Sequence, residues 1–230
     1  MGVHVTRVGT RVSHNPETSA GRRRSVIRNV AQDAQGMTSN AFLVTGRPGS
    51  RAPATDDGEP GRRVLVDCGA NYDAVAAVRE HVDDLDAVVF THTHPDHVGT
   101  LPALRETFDV QTQGYDTSHD AVDTAVGDRE TVQLGTATFE TLHTPGHKND
   151  HLCLFDPDSG VLFAGDLVFA DGAFGRTDLA EGDRETLIDS IDRLRAFVAD
   201  DLRTVHTGHG RSIETTPEES LELSARAAQR

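Results

Sequence analysis

Tryptophan is absent, tyrosine occurs twice, and aromatic residues make up 5% of the 230 positions. A nucleic acid would therefore find few rings on which to stack its bases. No segment approaches the apolar length needed to cross a bilayer, and the N-terminus lacks a basic-then-apolar signal pattern, so a cytoplasmic protein is expected. No internal repeat is visible. The two cysteines, Cys68 and Cys153, sit in apolar runs without zinc-knuckle spacing, which reads as buried free thiols rather than a disulfide. Lysine is nearly missing: Lys148 is the only one, and every other basic side chain is arginine.

Acid is abundant. The formal net charge is -15, aspartate outnumbers glutamate, and acidic pairs recur at Asp56-Asp57, Asp83-Asp84 and Asp200-Asp201. Compact, hydrated carboxylates keep a protein soluble where salt screens ordinary charge, and loss of lysine removes long apolar stems from the surface. The pattern is that of a halophilic, salt-adapted cytoplasmic protein. It describes the solvent more than a partner, and weighs only weakly against nucleic acid, whose binding depends on salt.

The length suits one domain with a sizeable core. Residues 1–24 are polar and read as an N-terminal strand around Val3–Val8 and an arm ending in Arg22-Arg23-Arg24. Strand-like runs follow at Ser25–Val30 and Ala41–Thr45, separated from Val64–Val66 by a Gly- and Pro-rich stretch (46–63) expected to be a mobile loop. Periodicity predicts a helix over Asn71–Val82 and another through Leu187, Ile191, Leu194 and Val198, capped by Asp183. Further strands are predicted at Ala87–Phe90, Val110–Gln113, Thr131–Leu134, Thr138–Leu142, Leu152–Phe155, Val161–Ala164 and Arg203–Thr207. Thr216-Pro217-Glu218-Glu219 reads as a capping box opening a terminal helix over 214–230. Such alternation indicates an α/β chain with two sheets and helices on their outer faces, with its core over about 25–211.

The chemistry concentrates in Thr91-His92-Thr93-His94-Pro95-Asp96-His97, directly after an apolar strand. In extended backbone His92 and His94 point the same way, and Pro95 biases His94 away from the helical region. Asp96 and His97 then face the same space from another direction. Three more strands end in a glycine beside a ligand-type residue: Gly146-His147, Gly165-Asp166 and Gly208-His209. Glycine lets backbone approach a crowded centre closely. One sheet edge could gather all of these side chains around metal ions. His151 and His206 adjoin these positions and are candidates for the pocket lining.

His92-Thr-His94-Pro-Asp96-His97 resembles the HxHxDH signature of metallo-β-lactamase-fold hydrolases, with His147, Asp166 and His209 matching the later metal positions in order. The resemblance runs from about Met37 to Gly210. It implies an αββα sandwich of two mixed sheets, with His92, His94 and His147 on a first metal, Asp96, His97 and His209 on a second, and Asp166 bridging. Asp67 matches a position that orients ligands from behind, and Asp96 would also orient the nucleophile. Two divalent cations are thus expected, zinc first and iron or manganese as alternatives for nitrogen and carboxylate donors. Such a pair makes a hydroxide available near neutral pH.

Phe174-Gly175-Arg176-Thr177-Asp178-Leu179 is similar to the GRTD segment of glyoxalase II-like thioester hydrolases and of persulfide dioxygenases. Arg176 could pair with a substrate carboxylate or simply with Asp178. About twenty residues follow His209, so the short single-domain relatives of glyoxalase II, without its helical substrate-binding domain, are the expected match. Hydrolysis of a small-molecule thioester or related acyl ester is the leading reading. A dioxygenase with one iron on His92, His147 and Asp166 is an alternative, against which His97 and His209 speak. A tRNA 3′-processing-type nuclease, suggested by His97-Val98-Gly99-Thr100-Leu101-Pro102, lacks a basic arm. Lactonases and other esterases, or a non-catalytic scaffold, complete the set. Departures from the family pattern, including Lys148-Asn149-Asp150 after His147, lie where substrate is met.

Overall fold

Runs such as Phe42-Leu43-Val44 and Leu152-Cys153-Leu154 are apolar at consecutive positions, which suits strands covered on both faces. The computed structural model describes residues 25–46 and 61–230. The first sheet follows chain order: β1 (Val26–Asn29), β2 (Phe42–Thr45), β3 (Val64–Val66), β4 (Ala87–Val89), β5 (Gln111–Gly114) and β6 (Thr124–Ala125). Its first three strands are antiparallel and the rest parallel. The second sheet is a meander of β7 (Thr131–Leu134), β8 (Ala137–His143), β9 (Leu152–Asp156) and β10 (Val161–Gly165), with β11 (Thr204–Thr207) added parallel to β10.

Alternation sorts each strand's side chains into two layers. Phe42, Val44, Val64, Val66, Leu152, Leu154 and Phe163 meet between the sheets. Leu43, Leu65 and Val88 face outward under α1 (Ala74–Arg79) and α3 (Leu101–Phe108). Cys153, Phe155 and Leu162 face the other way, under α4 (Arg184–Val198) and α5 (Pro217–Ala228). The αββα sandwich of two mixed sheets is therefore present. Both cysteines are free and buried. Asp183 caps α4 as expected, accepting from the Thr186 N–H at 2.7 Å. Helix α5 packs on its own chain, its Ala228 carbonyl accepting from Arg184 Nε at 2.8 Å. No described helix is long and apolar enough to cross a membrane.

Several expectations are corrected. The first helix is shorter, because Asn71 takes a left-handed backbone and Asp73 supplies the cap. Thr216 is also left-handed and makes no side-chain cap, so the capping box does not form; Pro217 starts α5 instead. Residues 61–63, assigned to the mobile loop, are pinned: Arg62 N–H donates to the Gly135 carbonyl at 3.0 Å and Arg63 pairs with Asp84 and Asp86. Helix α3 and the short α2 (Pro95–Val98) were not expected. The expectations for residues 1–24, including Arg22–Arg24, and for 47–60 fall outside the described residues.

Phe163 lies at the centre of the inter-sheet layer, 1% exposed, with ring centroids 5.5 Å from both Phe42 and Phe139. Phe163→Ala should destabilise the fold by about 3–5 kcal/mol, read as a lowered midpoint of denaturant unfolding. A loss under about 1 kcal/mol would contradict this packing.

Candidate metal centre

Every chemistry-bearing loop leaves the C-terminal end of a strand at one rim. Asp67 follows β3, residues 91–97 follow β4, His147 follows β8, Asp166 follows β10 and His209 follows β11. His92 and His94 lie beyond the paired part of the strand that precedes them. β4 ends at Val89, where its pairing with β3 and β5 stops. The chain then leans toward the second sheet, where the Thr91 carbonyl accepts from Leu152 N–H at 2.7 Å. His94 is extended (φ -64, ψ 147) ahead of Pro95, and Asp96 and His97 lie on α2.

This loop geometry brings all seven expected side chains together. His94 Nδ1 lies 3.0 Å from His92 Nε2 and 2.9 Å from His147 Nε2. Asp96 Oδ2 is 3.2 Å from His209 Nε2. Asp166 stands between the groups, 3.4 Å from each of His97, His147 and His209. Three sets have their ligand atoms within 4.8 Å of one another: His92, His94 and His147; His92, His97 and Asp166; and Asp96, His97 and His209. Gly208 is required here, because a Cβ on it would lie 2.0 Å from Asp166 Oδ1.

Outer hydrogen bonds fix which nitrogen faces inward in four of the rings. His97 Nδ1 donates to Asp67 Oδ2 at 2.9 Å, His147 Nδ1 to the Arg176 carbonyl at 2.8 Å and His209 Nδ1 to the Thr38 carbonyl at 3.1 Å. Thr91 Oγ1 donates to Asp67 Oδ2 at 2.8 Å, so it accepts from His92 Nδ1 at 3.1 Å. In a neutral imidazole the other nitrogen is then a lone pair. Four Nε2 atoms thus converge on the centre, a lone pair wherever the ring is neutral, and two face His94 Nδ1. Buried His97 Nε2 and Asp166 Oδ1 have no hydrogen-bond partner. Imidazole nitrogens and carboxylates gathered this closely, with a buried carboxylate oxygen left unpaired, are what bound cations satisfy, so the residues fit a pair of divalent ions.

The two halves differ in charge. Burial pushes His92 well below its usual range and His147 down, and brings His94 to about 4. Burial opposes protonation of His97 too, but Asp67 and Asp166 outweigh it and raise it to about 10. Contacts with Asp166 and Asp96 raise His209 to about 9. Burial would raise Asp166, yet His209 and His97 hold it well below the carboxylate range.

The metallo-beta-lactamase superfamily model matches residues 57–120 and 110–209, more than half of the chain. The chain belongs to the metallo-β-lactamase superfamily. It is 35% identical over 148 residues to a hydroxyacylglutathione hydrolase of Chromohalobacter salexigens, covering 64% of this chain and 56% of that protein. The chain thus spans little more than half the length of that relative. It is 31% identical over 169 residues to the hydroxyacylglutathione hydrolase GloC of Haemophilus influenzae, covering 64% of this chain and 79% of that one. Among solved structures, BLEG-1 B3 metallo-beta-lactamase superposes with a TM-score of 0.64 at 25% identity, over 82% of this chain and 93% of that one. ETHE1 from Myxococcus xanthus gives 0.68 at 22%, over 89% and 90%, which shows the fold alone.

Residues flanking the motif hold its side chains from behind. Asp67, 3% exposed, also accepts from the Thr91 N–H at 2.8 Å, so one carboxylate holds His97 directly and His92 through Thr91. His151, fully buried, does not line an open pocket; its Nε2 accepts from the Asp166 N–H at 3.0 Å and fixes that residue from behind. His206 is elsewhere, packed on Phe42 and Phe163. Of the two readings of Arg176, its guanidinium pairs with Asp178 at 2.8–2.9 Å, while its carbonyl supports His147. Thr91 and Thr38 went unnoticed, since a threonine hydroxyl or a backbone carbonyl has no sequence signature of its own.

His97 and His209 have folded values above the ordinary 6.5. In the metal-free protein their contribution to stability is full below about pH 6.5 and lost as pH rises through 9 to 10. Cations need both nitrogens free, so loading zinc at pH 7 should release on the order of two protons per chain, and affinity should climb toward pH 9. Calorimetry in buffers of differing ionisation enthalpy measures this. No proton release would contradict the charge assignment.

Proposed function

We propose that this chain is a metal-dependent hydrolase of a small-molecule thioester or related acyl ester. The observation that carries the reading is the convergence of four inward Nε2 atoms and two carboxylates at one rim. The hydroxyacylglutathione hydrolase relatives support the substrate class. His92, His94 and His147 hold one cation and Asp96, His97 and His209 the second, with Asp166 shared. Zinc suits the nitrogen and oxygen donors, and iron or manganese would accept them too. When bound, such a pair lowers the pKa of water and polarises an acyl oxygen.

The chain's own side chains do the rest. Asp96 is half-buried, and contact with His209 lowers its pKa, so its carboxylate accepts a hydrogen bond from the attacking water and orients it. Asp67 keeps His97, and through Thr91 also His92, in the tautomer a cation needs. Arg176 is exposed on the rim and can exchange Asp178 for a substrate carboxylate. Residues 25–211 work as one catalytic domain with α5 packed on it, in a salt-rich cytoplasm to which the -15 charge is suited.

Metal analysis of protein purified in high salt should give two ions per chain, followed by turnover of a hydroxyacyl thioester but not of a lactone or structured RNA. One iron with oxygen uptake would favour a dioxygenase instead. His94→Ala should cut turnover by about 100-fold or more, beyond the range typical of an outer partner, with the metal-free fold retained. Undiminished activity in that variant, or after exhaustive chelation, would overturn the reading.

A further inference from the structure

The only lysine of the chain does not lie free in solvent. Lys148 is 12% exposed at its side chain, with Nζ 2.9 Å from Glu181 Oε1 and 3.4 Å from Asp150 Oδ1. Asp150 is 4% exposed. Its Oδ2 accepts from Thr93 Oγ1 at 2.6 Å, while Oδ1 makes no hydrogen bond and faces the ammonium. Burying a carboxylate is unfavourable unless it is partnered, so this one is held for what it ties together. Thr93 stands between His92 and His94, and Lys148 and Asp150 follow His147. The connection joins the two loops that supply the first set of imidazoles.

The same segment is anchored on its other sides. The Asn149 N–H donates to Glu181 Oε2 at 3.3 Å, and its carbonyl accepts from His143 Nε2 at 2.7 Å. His92, His97, His147 and His209 each have their outer nitrogen held by a partner. Among the described residues, His94 has none; its ring's hydrogen-bond contacts are the inward ones to His92 and His147. Its ring must therefore be aimed through its backbone, which is held on the C-terminal side by the His94 carbonyl accepting from the His97 N–H at 2.9 Å and on the N-terminal side by Thr93.

We propose that Asp150, held by Lys148, is a positioning residue for His94: by anchoring Thr93 it aims the His94 ring at the point shared with His92 and His147. The inference rests on the metal-centre reading, and it gives the Lys148-Asn149-Asp150 turn a role in tuning one half of that centre. Rotation of the unanchored Thr93 loop would swing His94 away and leave Asp96, His97 and His209 as they are.

The test is zinc affinity of the full chain by competition with a chelator. Thr93→Val removes the donor at nearly constant volume. It should weaken one of the two zinc affinities by about 10–100-fold, the range for losing an outer-sphere partner, and leave the other unchanged. Thr93→Ser should restore the wild-type value. In a His209→Ala background, where the second set is incomplete, the remaining zinc should lose the same factor on adding Thr93→Val. Equal weakening of both zincs, or wild-type affinity for both, would overturn the proposal. Lys148→Gln, at the solvent edge, serves if the valine variant does not fold; about a 10-fold loss at one zinc is expected, and no loss would again refute it. A wild-type chain that binds no zinc would instead sink the metal-centre reading itself.

Discussion

Asp67 sits in the left-handed region at the end of β3, 3% exposed, and its carboxylate accepts from the Thr91 N–H, the Thr91 hydroxyl and His97 Nδ1. A non-glycine residue in that backbone region carries strain of order 1 kcal/mol, and a buried carboxylate needs its acceptor capacity met. Both conditions are satisfied by the loop that follows β4. The two parallel strands thereby fix the register of the HxHxDH segment, and the outward nitrogens of His92 and His97 are assigned before any ligand arrives. The other sheet supplies His147, Asp166 and His209 against this fixed half.

The resulting centre is electrostatically divided. His92, His94 and His147 are kept neutral by burial, with their inward nitrogens crowded together. His97 and His209 hold protons that neutralise Asp67, Asp96 and Asp166. Protons in the second half occupy the role a cation would take, which lets the protein bury opposed charges without one. The first half has no such substitute, so its geometry depends on second partners: Thr91 for His92, the Arg176 carbonyl for His147, and the Thr93–Asp150 connection for His94.

Much of this was legible in the chain. Apolar runs gave the strands, because a strand buried on both faces leaves no polar position, and the spacing of Leu187, Ile191, Leu194 and Val198 gave α4. Helix α3 went unread because its Pro102 and polar turns mask an apolar stripe only Leu101, Leu104 and Phe108 form. Thr216 resembled a cap in sequence, yet its side chain makes no capping bond because its backbone turned left-handed. The seven ligand-type residues were identifiable as residues, but the partners that hold their rings were not.

By itself, the sequence determined which chemical groups are present and at which strand ends they stand, because strand burial and ligand type are written in residue identity. The tertiary structure decided which nitrogen of each ring faces inward, how close Asp166 comes to His97, His147 and His209, and that the lone lysine lies beside the centre rather than on the open surface. Those outcomes depend on partners many positions apart, such as Thr93 with Asp150 and His209 with Thr38. Hydrogen-bond direction is a property of pairs, and only folding makes the pairs.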